Sequence, residues 1–201
     1  MLTTVADVIV WELSLGSYQS QLKGIVRSLW TGNIDRRSFN AQMKNAITFG
    51  LLDAWSAGAR VCGITPEDRT SEENRLVKTL VDSDVSHVSD FGAWVKANPK
   101  GTMKLQPLLS RTAMWGNRWN EAKNMAQAVA CADQKFVWRL GPTDHCSSCL
   151  KLNGKVKRAS QWADRDIRPQ HSSLNCKGIR CQCFFQPTNA PISRGPLPSL
   201  P

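Results

Sequence analysis

"TDHCSSCLKLNGKVKRASQWADRDIRPQHSSLNCKGIRCQCFF", residues 143–185, gathers five of the chain's seven cysteines and two of its three histidines. Cys146 and Cys149 form a C-x-x-C knuckle, and Cys176, Cys181 and Cys183 follow across a loop comparable to those of zinc ribbons. Thiolates are soft donors, and a tetrahedral ion needs four of them, or a histidine in place of one. The segment therefore predicts a small module closed around a structural zinc, about one ion per chain. Five thiols compete for four positions, and His171 is a further candidate whose place is open. His145 reads as an exposed neighbour of Cys146, and Cys62 and Cys131 as small buried apolar side chains of the helical body. The competing reading of the cluster is free or redox-active thiols, or disulfides formed outside the cell.

Around the cysteines the texture is that of short strands. "KFVWRL" at 135–140 is rich in strand formers, "LNGKVKRAS" at 152–160 sets an Asn-Gly turn before a second strand, and "CQCFFQPT" at 181–188 is a third apolar run. From Pro187 onward "PTNAPISRGPLPSLP" carries no periodic apolar face and reads as a disordered, flexible tail or a docking peptide.

Upstream, the period changes to that of helices. Tyr18, Leu22, Ile25, Val26, Leu29 and Trp30 recur at three- and four-residue steps. Asp35 is a good N-cap for a second helix carrying Phe39, Met43, Ala46, Ile47, Leu51, Ala54 and Trp55. Thr70 and Glu73 have capping-box spacing ahead of a third, expected to end near "NPKG" at residues 98–101. A fourth is expected from Pro107 to Cys131, with Leu108, Leu109, Trp115, Trp119, Ala122, Met125, Ala126 and Val129 inward. Arg111, Arg118 and Lys123 beside those tryptophans could form a nucleic-acid strip, but a core stripe with snorkelling flanks is the favoured reading. The expected fold is α+β: a mainly α-helical body of four to five helices over residues 1–133, a zinc-ribbon-like β module over 134–187, and a tail over 188–201.

The chain has 201 residues and a formal charge of +10, so an anionic neighbour is physically plausible. Residues 135–185 hold ten lysines and arginines against three acids. Lys155, Lys157, Arg158, Arg165, Arg168, Lys177 and Arg180 are the candidate phosphate contacts, directed at the backbone and sensitive to salt. The opening "MLTTVADVIVWELSLG" is interrupted by Asp7 and Glu12, so neither a signal peptide nor a membrane span is expected. A reducing cytosol follows, where clustered cysteines are metal ligands more often than disulfides.

Catalysis is not expected. The zinc deaminase signature needs H-x-E before P-C-x-x-C, and "GPTDHC" supplies neither. No Gly-rich phosphate loop, G-x-S-x-G or H-E-x-x-H occurs. A thiol oxidoreductase using Cys146 and Cys149 is a weak third class, because that use favours a βαβ setting.

The order of parts, "IDRRSFNAQMKNAITFGLLDAWSAG", "RTAMWGNRWNEAKNMAQ", "FVWRLGPTDHCSSCLKLNGKVKRASQW", "IRPQHSSLNCKGIRCQC" and a final "PT", resembles the phage Mu F-like head morphogenesis family of minor head proteins. The likeness spans about residues 15–189, and its specific part is the cysteine module. It implies a non-catalytic protein of the virion, present in the host cytoplasm during assembly, acting near the portal where DNA passes. Its implied partners are the portal or major capsid protein and the DNA backbone, with no membrane, in several copies per particle. Cys146 and Cys149 match the family's first knuckle, Leu152 and Gly154 the turn behind it, and Cys176, Cys181 and Cys183 the closing cysteines. Many relatives end in a compact H-P-x-C-x-C run. Here His171 stands five residues before Cys176 and "KGIR" separates the cysteines, so a thiolate-only site is favoured over one that includes His171. The alternative class is a zinc-ribbon nucleic-acid-binding protein.

Overall fold

The computed structural model describes residues 14–200, and the expectations for the opening stretch concern residues that lie largely outside that range. Among the described residues no helix is long and apolar enough to cross a membrane. The architecture is α+β, with six helices among the described residues of the body and a three-stranded antiparallel sheet in the module.

Helix α1 (Leu15–Trp30) is capped by Ser14, whose side chain accepts the Ser17 N–H, and turns Tyr18, Leu22, Ile25, Val26 and Leu29 inward. Helix α2 (Arg36–Ala59) starts at Asp35, whose carboxylate accepts the Ser38 N–H at 2.7 Å. Helix α3 (Ser71–Ser86) opens with the Thr70–Glu73 capping box. The long third helix expected to reach residues 98–101 is interrupted at His87, after which α4 (Val88–Ala97) begins. The fourth is likewise two helices, α5 (Leu105–Arg111) and α6 (Ala113–Ala130), broken at Thr112. Both breaks fall beside hydroxyl side chains that bond back to the chain. Ser86 Oγ donates to Ser83 O, and Thr112 Oγ1 donates to Leu109 O, each at 2.7 Å. Such bonds compete with the helical ladder, and the two breaks bring the body to six helices against the four to five expected.

Trp115 and Trp119 are buried in the body core, where Trp115 meets the Phe91 ring at 5.3 Å. Arg111 lies over Trp94 and Lys123 over Trp119, while Arg118 is paired with Asp84 and Glu121. This is the arrangement of a core stripe flanked by cations. At Gly58 α2 and α6 approach closely, and a Cβ there would lie 2.2 Å from the Lys123 carbonyl oxygen. Gly58→Val is expected to cost about 1–3 kcal/mol of stability through overpacking, read from the denaturant midpoint. An unchanged midpoint would contradict this.

In the module, β1 (Lys135–Arg139) lies between β2 (Val156–Arg158) and β3 (Phe184–Pro187), on the three runs the sequence marked. Trp138 stands opposite Phe185, and Val137 opposite Val156. Short helices α7 (Ser147–Leu152) and α8 (Ala159–Ala163) fill the connections. Phe136, Trp138, Trp162 and Phe185 form the core, which also takes in Cys149, Cys181 and Cys183.

Two expectations are corrected. Cys62 and Cys131 are not separate apolar side chains: they form a disulfide, because the 3-10 turn after α2 and the end of α6 bring their Cα atoms to 5.5 Å. The proline-rich segment is not a disordered tail. Ser193 N donates to Val156 O, Lys157 Nζ donates to Ser193 O and Gly195 O, and Leu197 and Leu200 pack on the module core.

Candidate metal centre

The first knuckle sits at the start of α7, with Cys146 as the N-cap residue and Cys149 in the first turn. Ser147 and Ser148 between them hold the far arm. Ser148 Oγ accepts the Asn175 N–H at 3.0 Å, and Asn175 Nδ2 donates to Ser147 Oγ. Cys176 is thereby brought to Cys146. From there the chain reaches Cys181 by tight turns, with Lys177, Gly178 and Arg180 all at positive φ. Residue 178 must be glycine on two counts. Its φ is +74°, and a Cβ would lie 2.0 Å from the Gln170 carbonyl oxygen.

The five thiols come together as two overlapping triads. The Sγ atoms of Cys146, Cys149 and Cys176 all lie within 4.8 Å of one another, and so do those of Cys149, Cys181 and Cys183. Cys149 belongs to both. Its Sγ is 3.9 Å from that of Cys181, near the edge of about 3.8 Å in a tetrahedron with metal–sulfur bonds of about 2.3 Å. The cluster therefore has the donor type, donor number and spacing to hold a metal ion.

The thiols are electrostatically unequal. Hydrogen bonds from the Cys149 and Cys183 thiols hold Cys181 far below the usual thiol range, while the same bond to Cys181 pushes Cys149 up. Burial pushes Cys176 up to about 12. Burial would raise Cys146, but hydrogen bonds from the N–H groups and thiols of Cys149 and Cys176 together bring it below the usual thiol range. A cation entering here must displace thiol protons, so binding is opposed by acid.

His171 lies in neither triad. Its Nδ1 meets Ser173 Oγ at 2.7 Å, and its Nε2 stands 3.3 Å from Asp166 Oδ2. The histidine beside the thiols is His145, half-buried, with Nδ1 3.9 Å from Cys183 Sγ. The expectation of an exposed His145 is thereby corrected, because the chain returning at Cys183 half-covers it; its place next to Cys146 was the one signal that could have found it.

A buried carboxamide bridge fixes the centre to the body. Gln170 Nε2 donates to the carbonyl oxygens of Cys181 and Cys183, and Gln170 Oε1 accepts from Asn124 Nδ2 of α6 at 2.6 Å. Asn124 Oδ1 in turn accepts the Phe185 N–H at 3.0 Å. Helical periodicity alone missed this, since it counts apolar positions and α6 buries Glu121, Asn124 and Gln127 as well.

The candidate phosphate contacts divide. Lys157 is buried on tail carbonyls, and Arg168 is paired with Asp166 and Glu121, so neither is free to meet a phosphate. Arg158 is exposed but spans Asp133, and Lys155 is half-buried. Arg165, Lys177 and Arg180 face solvent. Compared with known proteins, the chain matches no family model, no curated protein and no solved structure.

Proposed function

We propose that this chain is a non-catalytic minor head protein of a phage or prophage, acting in head assembly near the portal, with a zinc ion as the staple of its cysteine module. The observation that carries the staple is the pair of thiol triads meeting at Cys149, with three of the five thiols buried in the module core. The same thiols are tied through Gln170 and Asn124 to the body. Four thiolates from this set close the coordination of a tetrahedral ion, and a closed site stabilises rather than turns over. Zinc would be held by Cys149 with three of Cys146, Cys176, Cys181 and Cys183, and would supply cross-linking, not a reactive water.

The assembly role rests on the resemblance to the Mu F-like head morphogenesis family, with which an α-helical body followed by a cysteine-closed β module is consistent. Arg165, Lys177 and Arg180 are the side chains that would meet the DNA backbone. Head particles purified from the producing host are expected to contain the chain in a few copies beside the portal and major capsid proteins, by quantitative mass spectrometry. Particles that lack it would overturn the assembly role. Duplex DNA binding by the purified chain is expected to weaken steeply with salt, and to fall again in the Arg165→Ala, Lys177→Ala, Arg180→Ala triple variant. No binding at low salt would remove the DNA contact.

A further inference from the structure

The proline-rich segment lies in a built groove. Leaving β3, Thr188 N donates to Lys135 O, and Lys135 Nζ donates to Asn189 O and Ala190 O. The chain then passes to the opposite edge of the sheet and runs beside β2. There Ser193 N donates to Val156 O at 3.0 Å, and Ser193 Oγ accepts the Val156 N–H at 2.9 Å. The Lys157 ammonium, on a residue only 6% exposed, holds the carbonyl oxygens of Ser193 at 3.0 Å and Gly195 at 2.7 Å. Beyond a turn at Gly195, Leu197 and Leu200 pack on the module core and line one cavity with Ile167 and Arg165. The groove thus recognises an extended segment by its backbone at 193 and 195 and by two leucines.

We propose that this groove is a strand-exchange site, which takes residues 189–200 of a second copy of the chain in place of its own and so links copies. The occupant is fixed by what the groove already holds, since every second copy carries the same segment. The connection is what decides which copy supplies it. The segment must cross from the β3 edge to the far side of β2, three strand spacings or about 14 Å. The five steps from Thr188 to Ser193 reach about 17 Å at full extension, so the crossing is nearly taut. Asn189, Ala190, Pro191 and Ile192 are exposed along it. Closed and exchanged forms share every groove contact, so the balance between them is set by this connection and by the local concentration of neighbours.

The test uses the full chain with Asn189 and Ala190 deleted. Three steps reach about 10 Å, too short for the segment to enter its own groove. Light scattering on the eluting protein is expected to give twice the chain mass, and adding Lys157→Ala is expected to return it to one. A folded variant that stays monomeric overturns the proposal. Should the deletion prevent folding, Ser193→Pro loosens the segment by removing the N–H donor and the Oγ acceptor while leaving the groove intact. A fluorescent peptide of residues 189–200 is expected to bind that full chain about tenfold more tightly than the unaltered chain, whose own segment competes. Equal binding, or none to either, overturns it. Both readouts use the metal-loaded full chain, and neither depends on head assembly, so failure here is distinct from failure of the assembly role.

Discussion

Cys149→Ser is expected to yield protein without bound metal and with residues 135–187 unfolded, whereas Cys176→Ser and Cys183→Ser each retain an ion. The difference follows from topology. Loss of Cys176 leaves the triad of Cys149, Cys181 and Cys183 with Cys146 nearby, and loss of Cys183 leaves Cys146, Cys149 and Cys176 with Cys181 nearby. Loss of Cys149 breaks both triads at once. A structural zinc contributes on the order of 10–16 kcal/mol of apparent folding free energy, far more than one small core can replace. The body has a separate core built from α1, α2, α4, α5 and α6, so most helicity should persist. Metal analysis and tryptophan fluorescence on freshly reduced protein check both halves. The sign with pH is also set: the thiolates that bind metal must take up protons to release it, so retention falls as pH falls. Equal metal content in Cys149→Ser and the unaltered chain would sink the assignment.

How much of this was legible in the sequence varies with the range of the interaction. Capping by Asp35 and by Thr70 with Glu73 is local chemistry within four residues, and both caps are present in the structure. The three strands were marked by their own composition, and the knuckle by its spacing. The helix breaks at His87 and Thr112 escaped because an apolar stripe continues across them, and the back-bonded hydroxyls of Ser86 and Thr112 beside them leave no periodic mark. Longer range was less visible still. The Cys62–Cys131 disulfide joins residues 69 positions apart, and no spacing rule relates them. The Asn124–Gln170 bridge and the Lys157–Gly195 clamp are polar pairs across elements, which periodicity does not encode. Composition suggested disorder for the segment after Pro187 because it lacks an apolar face. It is ordered instead by backbone groups and two leucines, which need a groove rather than a face.

Trp162→Ala tests how far the module depends on its ion. Trp162 is fully buried, with ring centroids 5.8 Å from Trp138 and 5.2 Å from Phe185. Removing the indole leaves a cavity among Trp138, Phe185 and the thiols in the same cluster. Such truncations cost about 3–5 kcal/mol. That is well below the contribution expected of a structural zinc, so the metal-bound variant should remain folded and the loss should appear in affinity. Binding and folding of the module are one equilibrium, and destabilising the folded form weakens apparent metal affinity by the same free energy. The expected weakening is about two to four powers of ten, measured by chelator competition. On chelation the variant should lose module tryptophan signal while body helicity stays. An affinity unchanged from the unaltered chain would mean that the thiol cluster forms before, and independently of, the aromatic core around it.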